Sequence, residues 1–472
     1  MSSRKRKGSP NVQDMDTSVS PPPTSSPSPC KRARVSCAEG GSAHVWVDHD
    51  HSDRVVKWTP PDRHYPSGVQ SAFALEVAMA RRMGQPLHAF RWAWRGSSGG
   101  SSGGSGAPSC AKAGRVSVEP QVVWPRYELL SKAFPTSRFG DNLDCLRRVV
   151  HDVTRQLAEA HVVHGVVHAD IAPDQVLWDP TAGRAVVIDW ANAHLAAHPR
   201  SGFGKFDFRP PELLHPSTTR ADNGPAVDVW ALGVTVLMWL LHSNVFFQHI
   251  EDEDSDEGKA LRHAGMQALL RPHGSKRACQ HPKWLFRLAA SRTATWSTVR
   301  LNAVEPIMHW LARALHPEAS QRATMTDLLL DPWLGESHET VQAGLRRPKL
   351  RQGRSLEPLA KMAIHGPLGS WLNAMQEELS LAAHVIDNTK RMVLAVQLGG
   401  KGQSIRPRNA REWCVLGASA LSLSDALLSN TQYRLSVFVE ECPAEHHVTL
   451  DQLQHTQRAI MRCLDGHLLL VA

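Results

Sequence analysis

Two aspartates, Asp170 and Asp189, stand in the stretch HADIAPDQVLWDPTAGRAVVIDW, which runs from His168 to Trp190. The runs VLW and AVVI, separated by DPTAG, read as two short strands joined by a turn. Asp170 then lies in the loop before the first strand and Asp189 at the end of the second. Two carboxylates held apart on a hairpin suit phosphoryl transfer: one orients an acceptor hydroxyl and the other holds Mg²⁺ on the phosphates. The plain alternative is a chance His-x-Asp in a loop ahead of an ordinary hairpin, and the rest of the chain must decide between the two.

The stretch resembles the catalytic core of the protein kinases, where HRDxxxxN precedes a hairpin and DFG follows it. Here Arg is replaced by Ala169, Asn by Gln175, and DFG by Asp189-Trp190-Ala191. The resemblance implies ATP and Mg²⁺ as the cofactors, Asp170 as the residue that orients the acceptor, and Asp189 and Gln175 as the metal ligands.

Ahead of this core, EGGSAHVWVDHD reads as a Gly-containing turn feeding a strand, and SDRVVKWTP as a second strand with Lys57 in an apolar setting. QSAFALEVAMARRMGQP reads as an amphipathic helix that carries Glu76 and stops before Pro86. Together they resemble the VAIK strand and following helix of the kinases, in which the Lys binds the α and β phosphates and the Glu fixes the Lys. That implies Lys57 and Glu76 in those roles. Aligned on Val45, the phosphate loop GxGxxGxV becomes AEGGSAHV, so Gly40 alone keeps its place and ATP is held less closely. QVVWPRYELL reads as an edge strand and hinge, where backbone groups near Arg126 and Tyr127 would contact adenine. The Gly/Ser run from Gly96 to Gly106 reads as a flexible loop between strands. Asp141 to Gly165 reads as a helix with a Gly stop that delivers the catalytic loop.

Beyond Asp189, FDFRPPELL (Phe206 to Leu214) resembles the APE anchor, and most closely the form found in cyclin-dependent kinases. DVWALG, from Asp228, matches the DxWxxG that opens a buried helix. LARALHPEASQRATMTDLLLDPWL matches the closing helices and places Arg322 to pair with Glu212. Four ordered motifs make chance a poor explanation. From about residue 357 the chain reads all-helical and resembles a single degenerate cyclin box, through WL, VIDN, LGASAL and VT…QL…IMRCL. The rival reading is an unrelated helical extension. The box's Lys and Glu anchors fall at Ala426 and Gln457, and a second box is not expected. The implied fold class is α+β: a bilobal kinase fold with a β-rich N-lobe and helical C-lobe over 39–335, a basic linker at 336–356, and an all-α cyclin-like domain at 357–472. The resemblance implies this cyclin-like region as an intramolecular partner.

The 472 residues suffice for such an arrangement, and the formal net charge is +8 with a pI of about 9.2. Much of the basic excess is local, in RKRK at Arg4 to Lys7 and KRAR at Lys31 to Arg34. Residues 1–38 are rich in Ser and Pro and read as a disordered tail. Ser9, Ser20, Ser26 and Ser28 each precede proline, as proline-directed sites would, although Ser-Pro is common in any such tail. The basic clusters fit either nuclear import or a solvated tail, so a nuclear or cytoplasmic location is expected. Nucleic acid is not expected as a partner. The eight cysteines form no CxxC pair, against a zinc site or disulfide framework. No signal peptide is expected, and the apolar run from Val229 to Leu241 is too short for a bilayer. The acidic run from Glu251 to Glu257 reads as a solvated loop.

Three functional classes stay open. The first is a Ser/Thr kinase acting on protein substrates, with the cyclin-like domain in cis; Pro173 after DIA resembles the DLKPEN form of Ser/Thr kinases. The second is a pseudokinase scaffold, favoured by the degraded Gly loop and by Ala169 and Gln175. The third is a small-molecule phosphotransferase, which RPPELL, DVWALG and the Arg322 segment argue against. Ala172 lacks the ammonium that the resembling Ser/Thr kinases put on the γ-phosphate. Ala169 lacks the Arg that clamps an activation-loop phosphate, so Ser201 is not expected to be the switch.

Overall fold

The computed structural model describes residues 36–40, 43–48, 50–58, 71–95, 117–134, 141–199, 204–214, 224–242, 296–345, 367–398, 405, 407–428 and 433–469. The basic clusters, the Ser-Pro sites, the loop 96–106, Ser201, the acidic run 251–257 and residues 346–366 of the linker region lie outside the described residues.

Segments rich in valine and tryptophan build most of the first sheet. β1 (Ser36–Gly40), β2 (Ala43–Val47) and β3 (Arg54–Trp58) form a meander, and β4 (Ala89–Arg95) and β5 (Ser117–Pro125) complete it. The order is β1-β2-β3-β5-β4, antiparallel throughout. β1 begins at Ser36, inside the stretch read from composition as tail, because its backbone pairs with β2 from Ser36 opposite Trp46. Composition reports core-forming power and carries no signal of backbone pairing at a sheet edge.

Between β3 and β4, α1 (Ser71–Arg82) buries Phe73 through Ala80 without interruption. A helix buried on every side needs a partner on every side. β5 covers one side and the turn at Trp190–Asn192 another, and a C-terminal helix covers a third.

β6 (Glu128–Leu129) and α2 (Leu130–Ala133) lead to α3 (Leu143–Glu159). Asn142 caps α3 by accepting from the Cys145 N–H at 3.1 Å. The helix widens into a π turn at Ala160–His164 and stops at Gly165, whose φ of 62° is left-handed. β7 (Val166–Val167) follows, then β8 (Val176–Asp179) and β9 (Arg184–Val187), the hairpin read from the sequence, then β10 (His194–Leu195). β10 pairs with β7, which folds the segment after Asp189 back onto the start of the catalytic loop.

The helical lobe continues with α4 (Pro211–Leu214), α5 (Pro225–Leu241), α6 (Thr298–Ala314), α7 (Met325–Leu329) and α8 (His338–Gly344). α5 is buried along most of its length. A Cβ on Gly233 would come 2.8 Å from Leu315, so only glycine lets the end of α6 approach α5 this closely.

The last elements are α9 (Pro367–Glu378), α10 (Ala383–Leu398), α11 (Ala410–Leu428), α12 (Leu435–Glu440) and α13 (Leu450–Cys463). α11 is the central rod, packed by α9, α10, α12 and α13, and α13 opens with a Thr449–Gln452 capping box. Asn388 donates to Ser424 and to the Leu468 carbonyl. Gln457 is buried and donates to Ser422 at 2.7 Å. It therefore locks α13 to α11 inside the helical domain.

Candidate nucleotide and phosphoryl-transfer site

β3 places Lys57 opposite Val45 on β2 and Val122 on β5. Its ammonium lies 3.2 Å from Glu76 Oε1 and 2.7 Å from Asp189 Oδ1. One cation thus joins the sheet, α1 and the end of the β8–β9 hairpin. Burial pushes the Glu76 carboxyl up, and the attraction of Lys57 and a hydrogen bond from Trp124 do not fully offset it. For Asp189 burial acts in the same direction, but the charge of Lys57 and its hydrogen bond outweigh it and the carboxyl stays below the usual range. Burial alone would lower Lys57, yet its two carboxylate neighbours raise it above the ordinary lysine value. Lys57 is a fixed cation here.

The catalytic loop hangs on Asp228 at the start of α5. Asp228 Oδ2 accepts from the His168 N–H at 2.7 Å and pairs with His161 Nε2 at 2.8 Å; Oδ1 accepts from the Ala169 N–H at 2.8 Å. Burial raises the Asp228 carboxyl, but these donors win and hold it below its ordinary value. His168 packs edge-on against Trp190 with ring centroids 4.6 Å apart, so the Trp in the DFG position fills the space beneath the loop. Ala169 and Asp189 both adopt left-handed backbone, with φ of 63° and 62°. Such non-glycine positions cost on the order of 1–3 kcal/mol and persist where surrounding bonds over-determine them.

Asp170 is reached by two residues that the sequence reading did not single out. Asn192 donates to Oδ2 at 3.0 Å, and the Lys205 N–H donates to Oδ1 at 2.9 Å. No motif marks either one. Gln175 is buried, and its amide NH₂ is turned toward Asp174 Oδ2 at 3.5 Å. Its carbonyl oxygen and the Asp189 carboxylate are hard oxygen donors of the kind Mg²⁺ takes alongside phosphate oxygens and water. Among the described residues, no group of three or more His, Cys, Asp or Glu could hold a metal by itself.

Gly40 ends β1 opposite Ala43, and Val45 lies two residues into β2. The Arg126 N–H is bonded to the Asp53 carbonyl at 2.7 Å, because the β2–β3 turn lies against the hinge. That donor is spent within the lobe. Burial, with Asp179 nearby, pushes the Tyr127 phenol up to about 12, so it stays a neutral donor.

Farther out, Arg322 and Glu212 form a bidentate pair, with Nη1 2.8 Å from Oε1 and Nη2 3.0 Å from Oε2. Arg322 also donates to the carbonyls of Ala226 and His316 and stacks over Trp230 at 5.1 Å. The pair ties the segment after the catalytic loop to α5 and to the turn before α7.

Part of the chain is similar to known proteins. Residues 136–334 match the family model of the protein kinase domain. Over 183 residues the chain is 26% identical to sperm motility kinase Z of Mus musculus, covering 38% of this chain and 29% of that one. Over 224 residues it is 24% identical to a protein of Encephalitozoon cuniculi described as a probable serine/threonine-protein kinase CHK1 homolog, covering 45% of each. The chain thus spans less than half the length of either curated relative. The kinase match begins at residue 136, and the sheet that carries Lys57 lies ahead of it. Among the described residues, no helix is long and apolar enough to cross a membrane.

Proposed function

We propose that the chain is an ATP-dependent serine/threonine protein kinase whose C-terminal helical region is cyclin-box-like and acts in cis. The observation that carries the reading is the double engagement of Lys57 by Glu76 and Asp189. In this reading Lys57 holds the α and β phosphates, and Glu76 keeps its ammonium in place. Asp189 and Gln175 would hold Mg²⁺, which would draw negative charge off the phosphates. Asp170 orients the acceptor hydroxyl and receives its proton. The acceptor oxygen bonds to the γ-phosphorus as the bond from that phosphorus to the β,γ-bridging oxygen breaks, and ADP leaves. The Arg322–Glu212 pair supports a peptide acceptor over a small molecule, because it fixes a segment on which an extended substrate would lie. The packing of α11 on α1 supports regulation in cis, since α1 carries Glu76. The basic clusters at Arg4–Lys7 and Lys31–Arg34 support a nuclear location.

The test is phosphate incorporation from labelled Mg-ATP into the chain and a generic Ser/Thr substrate, beside Asp170→Asn and Lys57→Met. Incorporation abolished by both variants is the expected result. Nucleotide binding without incorporation in the wild-type chain would replace this reading with that of a nucleotide-binding scaffold.

A further inference from the structure

A phosphoryl-transfer site needs positive charge where the γ-phosphoryl group passes. The loop from His168 to Gln175 contains no Lys or Arg, and Ala172 is fully buried and apolar. Lys57 is committed to Glu76 and Asp189. The geometry points to Lys205 as the missing cation: we propose that its ammonium binds the γ-phosphoryl group of ATP and positions it beside Asp170, an assignment that rests on the kinase reading above.

Three observations converge on Lys205. Its own N–H is bonded to Asp170 Oδ1 at 2.9 Å, so its Cα is anchored at the acceptor carboxylate. Its ammonium reaches Asp174, in the same loop, and bonds both carboxylate oxygens. The approach is built by the residue before it. The Gly204 N–H donates to the Ala169 carbonyl at 2.9 Å, and Arg209 Nε donates to the Gly204 carbonyl at 2.9 Å. A Cβ at Gly204 would come within 2.7 Å of the Asp170 Cα, closer than real side chains come. Glycine at 204 is what lets the segment carry Lys205 onto the loop.

The Lys205 side chain is 40% exposed, and its four-carbon stem is flexible. The Asp174 carboxylate, 64% exposed, is a weak hold at that exposure. A polyanionic γ-phosphate competes well for the ammonium. In the transfer step Lys205 exchanges no proton. It offsets charge on the equatorial oxygens while the hydroxyl proton passes to Asp170 and the bridging oxygen leaves with ADP.

The test compares Mg-ATP and Mg-ADP affinity by calorimetry in the full chain and in Lys205→Met, with transfer rates measured in parallel. The expected result is that wild type prefers ATP, that Lys205→Met loses about tenfold or more of that preference, and that ADP affinity is unchanged. The transfer rate falls with it. A wild-type preference for ATP that survives intact in Lys205→Met overturns the inference while leaving the kinase reading standing. A faster rate in Lys205→Met also overturns it, because Lys205 would then be obstructing the acceptor. No nucleotide binding in wild type overturns both readings.

Discussion

Arg81, at the end of the helix that carries Glu76, reaches Asp465 near the end of the described chain: Nη2 lies 3.1 Å from Oδ1, and Nε 3.0 Å from the main-chain carbonyl. The next residue, Gly466, is left-handed at φ 76°, and a Cβ there would collide with Val77 and come 3.4 Å from both Arg81 and Phe90. The segment after α13 therefore touches α1, the helix that holds the Lys57 partner. Arg82 at the same helix end donates to the His164 carbonyl at 2.9 Å. α1 is thus held at its C-terminal end by both the π turn after α3 and the segment after α13.

The two contacts at this junction differ in kind, which gives the first prediction. The Asp465 side chain is 60% exposed, so Asp465→Ala should change stability by less than about 1 kcal/mol. Gly466→Ala forces a side chain into left-handed backbone, at about 1–2 kcal/mol, and into Val77. We expect amide exchange in residues 71–82 to speed up clearly in Gly466→Ala and little in Asp465→Ala. Equal protection of α1 in Gly466→Ala and wild type would show that the segment after α13 does not hold the helix.

The Arg322–Glu212 pair gives a stability prediction with a built-in control. Arg322 is fully covered, and Glu212 is only 18% exposed. Arg322→Ala removes the cation that pairs with Glu212 and bonds three carbonyls, and breaking such a pair costs about 3–5 kcal/mol. Replacing both residues with apolar side chains of similar volume should recover much of that loss, because no buried charge then lacks a partner. Urea denaturation of the single and double variants measures it. A loss below about 1 kcal/mol in the single variant would contradict the geometry, since exposed pairs alone cost so little.

A pH dependence follows from His198 and His384, whose rings stack with centroids 3.8 Å apart across the contact between the segment after β10 and α10. Burial first, and then the charge of His384, lowers the His198 pKa in the folded chain. With the folded value below the unfolded one of about 6.5, the contribution is complete above that pH and is lost as pH falls below it. The thermal midpoint should drop as pH goes from 7.5 to 5.5, and His198→Phe should flatten that drop. An unchanged slope in the variant would assign the acid sensitivity to other groups.

What could be read from the sequence was what local spacing determines. The hairpin carrying Asp189, the helix stop at Gly165 and the run around Lys57 depend on neighbours and on strand or helix period, so the residues announce them. Arg322 with Glu212 was legible because two recognisable segments bracket the pair. Asn192 and Lys205 were not, because their hydrogen bonds to Asp170 span 22 and 35 residues and no residue pattern marks a donor aimed backwards along the chain. Arg81 and Asp465 are 384 residues apart and look like ordinary surface charges. Gln457, read as the counterpart of an anchor toward the kinase lobe, turns inward to Ser422 instead. An uncharged amide can be satisfied inside a helix pair, where a carboxylate would have to be charge-balanced.

The last prediction concerns Gln175, which stands where an Asn would bring its amide oxygen one methylene closer to the backbone. Its NH₂ is turned toward Asp174, and its backbone is fixed on both sides: its N–H donates to the Ala172 carbonyl, and its carbonyl accepts from Ile188, both at 3.0 Å. The main chain therefore cannot shift to compensate for the longer side chain. A misplacement near 1 Å in a phosphoryl-transfer site can cost on the order of a hundredfold in rate. Gln175→Asn should consequently raise the transfer rate and lower the Mg²⁺ concentration needed for half-maximal rate, with little change in thermal stability. Titrating Mg²⁺ at fixed ATP in both chains measures it. A slower Gln175→Asn chain with the same Mg²⁺ requirement would mean that the surrounding loop has adapted to the longer side chain. The low rate expected of this site would then have to be traced to Ala169 or to the reduced Gly loop.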